Sequence, residues 1–113
     1  MHGPIVLMVS DLAVLSSLRF ALSIEGFTLA AEGETFSAAA LVVDQGSLSA
    51  SLNFLDSLRA AGCQVPAIVL TTHPTAAMRA RAAAAGAAVI EKPLLGDDLS
   101  GAILAAIQPR RAA

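Results

Sequence analysis

The stretch ALVVD, residues 40–44, is an apolar run that is too short for a helix and ends abruptly in a carboxylate. Such a run is typical of a strand that is buried on both faces of a parallel sheet. Its last residue, Asp44, is then delivered to the edge of that sheet. We therefore interpret the other segments by asking what they could bring to Asp44.

The composition of the chain excludes several classes of protein. Its 113 residues suit one domain, and a formal net charge of -2 with a pI near 5.5 gives no support for binding nucleic acid or an anionic membrane. The mean hydropathy is +0.71, but no segment approaches the roughly 20 uninterrupted apolar residues of a membrane span. Cys63 is the only cysteine, so no intramolecular disulfide can form, and we expect a cytoplasmic protein without a signal peptide.

A strand followed by a helix is predicted at the beginning of the chain. The apolar residues 5–9 form a buried strand pattern. Leucines at helical spacing then predict a helix over residues 12–25, with Asp11 or Ser10 as its N-terminal cap and Gly26 at its C-terminal end.

The segment between the second and third strands is unusually short. Residues 27–31 form the second strand pattern, and only eight residues separate them from Ala40. A crossover that contains a full helix usually needs about 10–12 residues or more, whereas eight extended residues reach roughly 26 Å and can return over a sheet without one. We therefore expect at most one or two helical turns within residues 34–39.

The same alternation of strands and helices continues after residue 44. A polar turn at residues 45–47 precedes a leucine-striped helix that runs to Gly62, with Ser49 or Ser51 near its start. Residues 67–70 form the next buried strand.

A further helix and strand are predicted next. His73-Pro74 is expected to open an alanine-rich helix that runs to Gly86, with the proline in the first turn, and residues 88–90 form the last strand. The helix face can serve simply for close packing, or it can contact a partner.

The chain ends in a helix that Asp97 or Asp98 can cap and that Pro109 stops. One face of this helix carries Leu99, Ile103 and Ile107. We predict one domain over residues 1–108 and a C-terminal tail over residues 109–113.

Strands that alternate with helices predict an α/β fold with a parallel sheet and helices on both faces. Because crossovers are right-handed, only a few doubly wound orders are open to such a chain. We predict a flavodoxin-like doubly wound five-stranded parallel sheet with strand order 2-1-3-4-5 and a reduced second helix.

Polar residues end four of the predicted strands. They are Asp11, Asp44, Thr71-Thr72 and Lys92. In an open α/β sheet, ligands bind outside the carboxyl ends of the strands, and the order 2-1-3-4-5 brings these four ends together. Two neighbouring carboxylates suit a divalent cation such as magnesium, while lysine and threonine suit a phosphate. Asp44 could itself be the nucleophile in phosphoryl transfer.

In these features the chain resembles the receiver domains of two-component response regulators. The motifs that carry the resemblance span nearly the whole chain: LMVSD at residues 7–11, LVVD at 41–44, IVLTT at 68–72 and AAAAGAAVIEKP at 82–93.

The resemblance implies a role for each matching residue. Asp44 is expected to be the phosphoacceptor, and Asp11, Asp44 and the backbone carbonyl of Gly46 are expected to bind Mg²⁺. Thr71 is expected to contact the phosphoryl group and Lys92 to neutralise it. The resemblance implies no turnover enzyme, only magnesium-dependent self-phosphorylation and dephosphorylation at Asp44.

Four features depart from the pattern of the family, and one of them is the truncated second helix. Receivers usually carry two adjacent acids after the first strand, whereas this chain has Ser10-Asp11. Residues 45–49 replace the usual loop after the phosphoacceptor, and Val89 stands where the family has a switch aromatic residue. Magnesium is therefore expected to bind more weakly than in a typical receiver.

Each of these residues also has a plainer interpretation. Asp11 can be a helix cap, which is compatible with metal binding. Lys92 can be a solvated loop residue, and Thr71 or Thr72 can cap the following helix. Polar residues are common at strand ends, so the joint placement of the four ends carries more weight than any one of them.

Two functions follow as hypotheses. The first is a stand-alone receiver that accepts a phosphoryl group on Asp44 from a histidine kinase or phosphotransfer protein. It would then signal to a protein partner, or form a homodimer, through the helix 4, strand 5 and helix 5 face that the family commonly uses. The alternative is a pseudo-receiver that acts as a protein interaction module independently of phosphorylation.

Overall fold

The sheet is parallel throughout and has the predicted strand order. The structure, a computed structural model, describes residues 3–30, 32–92 and 98–107. Within these ranges five strands pair in the order β2-β1-β3-β4-β5, and each neighbouring pair is parallel. The strands are β1 Ile5–Val9, β2 Leu29–Ala30, β3 Ala40–Asp44, β4 Ala67–Thr71 and β5 Ala87–Glu91. The predicted flavodoxin-like, doubly wound architecture is confirmed.

The connections between the strands are helical. The described residues form four α-helices: α1 Leu12–Ile24, α2 Leu48–Ala60, α3 Ala76–Ala84 and α4 Asp98–Ile107. A 3-10 helix, Glu32–Ser37, stands between β2 and β3 in place of a full helix. The expectation of a reduced helix in this short connection is therefore confirmed.

The second strand is shorter than the sequence predicts. Among the described residues, Leu29 and Ala30 pair with β1, opposite Ile5 and Val6, and Ala31 lies outside the described residues. Phe27 was expected in this strand, but its N–H donates to the carbonyl oxygen of Leu22 at 3.0 Å. Phe27 thus belongs to the turn that closes α1, which leaves a two-residue strand at the edge of the sheet.

Two apolar layers cover the sheet. On one face, alternate residues of β1, β3 and β4 pack against α2 and α3. On the other face, the intervening residues pack against α1 and α4. Strands β1, β3 and β4 are buried along their whole length, so the central strands are fixed from both sides, as their continuous apolar runs predict.

Helix α2 begins at Leu48, after the predicted turn, whereas α3 begins later than predicted. The helix α3 begins after Thr75, whose hydroxyl accepts the N–H of Met78 at 3.1 Å, so Pro74 lies before the first turn. The helix α2 is capped by Ser47, whose extended backbone lets its hydroxyl accept the N–H of Ala50 at 3.1 Å. Ser49 and Ser51 lie near the start of α2, as predicted, but within the helix, and the cap itself is Ser47.

The predicted apolar face of the final helix is confirmed. Leu99 and Ile103 are buried, and Ile107 packs against the same cluster. The predicted cap Asp97, the stop at Pro109 and the tail over residues 109–113 lie outside the described residues.

Helix α1 exposes large apolar side chains to solvent. Leu12, Phe20 and Ile24 keep 75%, 70% and 68% of their surface exposed, in contrast to the buried Leu18 and Leu22 of the same helix. None of the helices formed by the described residues has both the length and the apolar character that crossing a bilayer requires.

Candidate functional site

The candidate site lies at the carboxyl edge of the sheet, where the chain leaves β3. Asp44 is the last residue of β3 and pairs with Val9, the last residue of β1. The N–H of Ser10 donates to the carbonyl oxygen of Asp44 at 2.9 Å, which extends the ladder by one step. The backbone of Asp44 is therefore held against the end of β1. Asp11 follows Ser10 directly in the segment that leaves β1.

The Asp44 side chain is buried and paired with a lysine. Its Oδ2 lies 2.8 Å from Lys92 Nζ, and its side chain is only 7% exposed, compared with 31% for Lys92. Its Oδ1 accepts the N–H of Gly46 at 3.2 Å. A buried carboxylate is costly unless it is paired and hydrogen-bonded, and Asp44 satisfies both conditions.

The position of Lys92 explains why a long side chain is required there. Its N–H donates to the carbonyl oxygen of Thr71 at 2.7 Å, so its backbone continues the β4–β5 ladder. Asp44 stands on β3, two strands away, which is about 10 Å in a sheet. The four-carbon stem of lysine passes the end of β4 and places a compact positive charge on the carboxylate.

Thr71 lies between the lysine and the aspartate strands. It is buried, and its hydroxyl donates to the carbonyl oxygen of Thr72 at 3.3 Å, while Thr72 itself is exposed. The two threonines therefore differ in environment, although both line the same cleft.

Lys92, the lysine of the ion pair, lines an open cleft of about 340 Å³. Its walls carry Lys92, both threonines at the end of β4, and the start of α2 around Ser47 and Ser49. His73 also lines this cleft and has a φ of 53°, the one positive φ of a residue other than glycine within the described part of the chain. Left-handed backbone at a side-chain-bearing residue is costly and is concentrated at functional sites.

Asp11 caps helix α1. Its Oδ1 accepts the N–H groups of Ala13 and Val14 at 2.9 and 3.3 Å, and its side chain is exposed. The predicted cap at Asp11 is confirmed. These two bonds use one carboxylate oxygen, so the capping geometry is compatible with a cation at the other oxygen.

The donor groups near Asp44 suit magnesium in type but are few. Across the described ranges, no cluster of three or more His, Cys, Asp or Glu side chains is arranged to hold a metal ion. Mg²⁺ commonly takes one or two carboxylates and completes its shell with water and substrate phosphate. Asp11, Asp44 and the carbonyl of Gly46 fit that donor chemistry, and magnesium binding stays a prediction.

Two polar residues of the site were not singled out by the sequence. The side-chain amide of Gln45 donates from Nε2 to the carbonyl oxygen of Met8 at 2.8 Å. The backbone N–H of Gln45 donates to the hydroxyl of Ser51, a fully buried serine of α2, at 2.9 Å. The sequence predicts a polar turn at residues 45–47 but not the contact to Met8, because Gln45 and Met8 lie 37 positions apart.

Comparison with known proteins shows which solved structures share this fold. No protein-family model matches the chain, and no curated protein matches it significantly in sequence. Among solved structures, FixJ-N is 25% identical over the full length of both chains, with a TM-score of 0.74. A CheY-like response regulator receiver domain protein from Methanospirillum hungatei JF-1 is 17% identical, with 95% of this chain and 94% of that chain covered and a TM-score of 0.74. This chain has the receiver fold of response regulators.

A receiver fold also occurs within longer chains. NtrX from Brucella abortus is 21% identical with a TM-score of 0.77, and 95% of this chain covers 27% of NtrX.

The receiver fold of this chain keeps the departures seen in the sequence. Val89 is partly buried and packs against the layer formed by α2 and α3, and its carbonyl oxygen accepts Arg79 Nη1 at 3.3 Å. The connection between β2 and β3 holds only the 3-10 helix.

Proposed function

We propose that this chain is a receiver domain that accepts a phosphoryl group on Asp44. The donor would be the phosphohistidine of a histidine kinase or phosphotransfer protein. The observation that carries the proposal is the buried Asp44 carboxylate, paired at 2.8 Å with Lys92 beside a cleft that Thr71 also lines. A carboxylate at a sheet edge with a cation and a hydroxyl beside it can act as a nucleophile towards phosphorus.

The transfer would replace the P–N bond of the phosphohistidine by the O–P bond of an acyl phosphate on Asp44. One oxygen of Asp44 attacks phosphorus and forms the new O–P bond, while the P–N bond to the donor histidine breaks and its electron pair stays on the imidazole. The Lys92 ammonium group would shift from the carboxylate to one phosphoryl oxygen. The Thr71 hydroxyl would turn away from the Thr72 carbonyl and donate to a second phosphoryl oxygen.

Magnesium would be held by Asp11, Asp44 and the carbonyl of Gly46. Bound there, it would neutralise charge between the carboxylates and the phosphoryl oxygens. Only one acid follows β1, because Ser10 stands where receivers usually have another. We therefore expect Mg²⁺ to bind weakly, so that the rate of phosphorylation saturates only at high magnesium concentration.

The proposed phosphorylation can be tested by intact-mass spectrometry. The protein is incubated with Mg²⁺ and acetyl phosphate, which tests transfer without the cognate kinase. We expect one added phosphoryl group in the wild type and none in Asp44→Asn. The exposed Asp56 offers a matched control, since Asp56→Asn removes a carboxylate on α2 and should still gain the adduct. No adduct in the wild type at saturating donor would count decisively against the proposal.

Phosphorylation would be read by a protein partner. In this chain the face that receivers commonly use consists of α3, β5 and α4. Strand β5 is an edge strand whose residues are all exposed or half-buried, which supports contact with a partner or with a second copy. The exposed Leu12, Phe20 and Ile24 of α1 provide a second apolar surface that supports protein binding.

A second function is favoured by the sparse acidic cluster. Ser10 in place of an acid and the use of Asp11 as a helix cap fit a pseudo-receiver that binds its partner without phosphorylation. This function predicts unchanged partner affinity in Asp44→Ala. A large loss of affinity in that variant would exclude it.

A further inference from the structure

The loop that follows Asp44 is fastened to the sheet and to α2 by one residue. Between the last residue of β3 and the cap of α2 at Ser47 there are only two residues, Gln45 and Gly46. Gln45 is half-buried, its side chain donates to the Met8 carbonyl of β1 at 2.8 Å, and its backbone N–H donates to Ser51 of α2 at 2.9 Å. The peptide that leads into Gly46 is thus fixed on both sides.

The next residue makes a direct contact to the acceptor. The N–H of Gly46 points at Asp44 Oδ1, 3.2 Å away, and Gly46 has a φ of 97°. Glycine adopts this left-handed conformation as readily as others, so the conformation alone does not hold the N–H in place. The two bonds of Gln45 are what restrict it.

The carboxylate therefore has two separate partners, one on each oxygen. Lys92 binds Oδ2, and the Gly46 N–H binds Oδ1. An N–H fixed on one oxygen sets the rotation of the carboxylate and so decides how the other oxygen is presented to Lys92. Groups that fix a reacting atom in this way lower the cost of reaching the reactive geometry.

We infer that Gln45 is a positioning residue of the proposed phosphorylation: through its bonds to Met8 and Ser51 it holds the Gly46 amide on Asp44 and orients the acceptor carboxylate. This inference rests on the proposed function. Neither bond touches the reacting atoms, so Gln45 acts only through Gly46.

The inference is tested first on the unphosphorylated protein by ¹H–¹⁵N NMR. Gln45→Met keeps the length of the side chain and removes its donor, and Ser51→Ala removes the other anchor. In both variants we expect the Gly46 amide proton to move upfield, because its hydrogen bond to the carboxylate weakens. Ser57→Ala is the matched control, since it removes a hydroxyl of α2 that donates to the Asn53 carbonyl oxygen and touches neither anchor.

The second readout is the rate of acetyl phosphate-driven modification. We expect Gln45→Met to react about tenfold more slowly at saturating Mg²⁺, while Ser57→Ala reacts at the wild-type rate. A Gly46 amide that does not move in Gln45→Met, or that moves equally in Ser57→Ala, overturns the inference. If neither the wild type nor any variant gains a phosphoryl group, the proposed function fails. The NMR result still decides whether Gln45 positions the Gly46 amide.

Discussion

At the scale of single residues, the central feature is a carboxylate whose partner lies 48 positions away in the sequence. Lys92 reaches Asp44 only because β3, β4 and β5 are neighbours in the sheet. The sequence could nominate both residues, because each ends a strand pattern. Their approach could be predicted only once a strand order was assumed.

The two members of the ion pair should differ in what their loss costs. Lys92→Met leaves the Asp44 carboxylate, 7% exposed, without its cation, so we expect a loss of about 1–3 kcal/mol in the free energy of unfolding. Asp44→Asn removes the buried charge and leaves Lys92, which is partly exposed and can turn to water, so we expect a loss below about 1 kcal/mol. Urea denaturation measures both, and an equal or larger loss in Asp44→Asn would show that the pair is not arranged as described.

Two features at this scale could not be predicted from the sequence. They are the backbone conformation of His73 and the hydrogen bond between Gln45 and Ser51. The positive φ of His73 and the buried bond between Gln45 and Ser51 depend on the packed positions of β1 and α2. Local sequence offers no signal for either, because polar residues in a loop usually contact water.

At the scale of the elements, Asp11, the residue that caps helix α1, is also a proposed magnesium ligand. Asp11 accepts two N–H groups of the first turn, and it is also the expected magnesium ligand after β1. The cap was predictable, because an aspartate directly before a helix pattern is a common cap. Substitution at this position can separate the two tasks.

Asp11→Asn and Asp11→Ala should agree in reactivity and differ in stability. Asparagine caps a helix about as well as aspartate, so we expect a change of only a few tenths of a kcal/mol, whereas alanine should cost about 1 kcal/mol. Because both lose the carboxylate that we propose as a Mg²⁺ ligand, both should need much more Mg²⁺ for acetyl phosphate to modify the protein. Thermal denaturation and a magnesium titration of the modification rate measure the two effects. A wild-type magnesium dependence in Asp11→Asn would mean that Asp11 is a cap alone.

A second connection between elements depends on Arg59. Its guanidinium, at the C-terminal end of α2, donates to the carbonyl oxygens of Cys63, Ala85 and Gly86 at 2.9, 2.7 and 3.3 Å. It thereby joins the end of α2 to the turn between α3 and β5. Planar guanidinium can bridge three carbonyls in this way, and an ammonium group cannot.

Arg59→Lys should therefore destabilise the protein more than the same exchange at Arg81. Arg81 pairs with Asp56 at 2.8 Å, but both side chains are about half exposed, so Arg81→Lys should cost less than about 0.5 kcal/mol. For Arg59→Lys we expect about 1–2 kcal/mol, because the partly buried bonds to the carbonyl oxygens of Cys63 and Ala85 are lost. Chemical denaturation compares the two variants, and equal losses would show that Arg59 is not a structural bridge.

The boundaries of the elements were predictable only where one residue dominates. The eight-residue interval before Ala40 limited the connection to a short helix, and a 3-10 helix is present. The start of α3 was misjudged because proline suits a first turn, yet the Thr75 hydroxyl captures the N–H of Met78 and sets the start beyond Pro74. Capping competes with conformational preference at helix ends, and the sequence does not show which prevails.

At the scale of the whole molecule, the architecture follows from the pattern of the chain. Continuous apolar runs identify the central strands, and alternation with helices implies right-handed crossovers and a parallel sheet. This reasoning also brings the ends of β1, β3, β4 and β5 to one edge. The exposed Phe20 and Ile24 were not anticipated, because the leucine spacing that identifies the buried face of α1 does not indicate what its other face carries.

The central claim is that this edge of the sheet makes Asp44 the phosphoryl acceptor. Borohydride reduces an acyl phosphate on aspartate to homoserine, which marks the modified position permanently. After treatment with Mg²⁺ and acetyl phosphate, reduction and peptide mapping by mass spectrometry should find homoserine at position 44 and at no other aspartate. Homoserine at Asp11 or another aspartate, or its absence from the whole chain at saturating donor, would contradict the account.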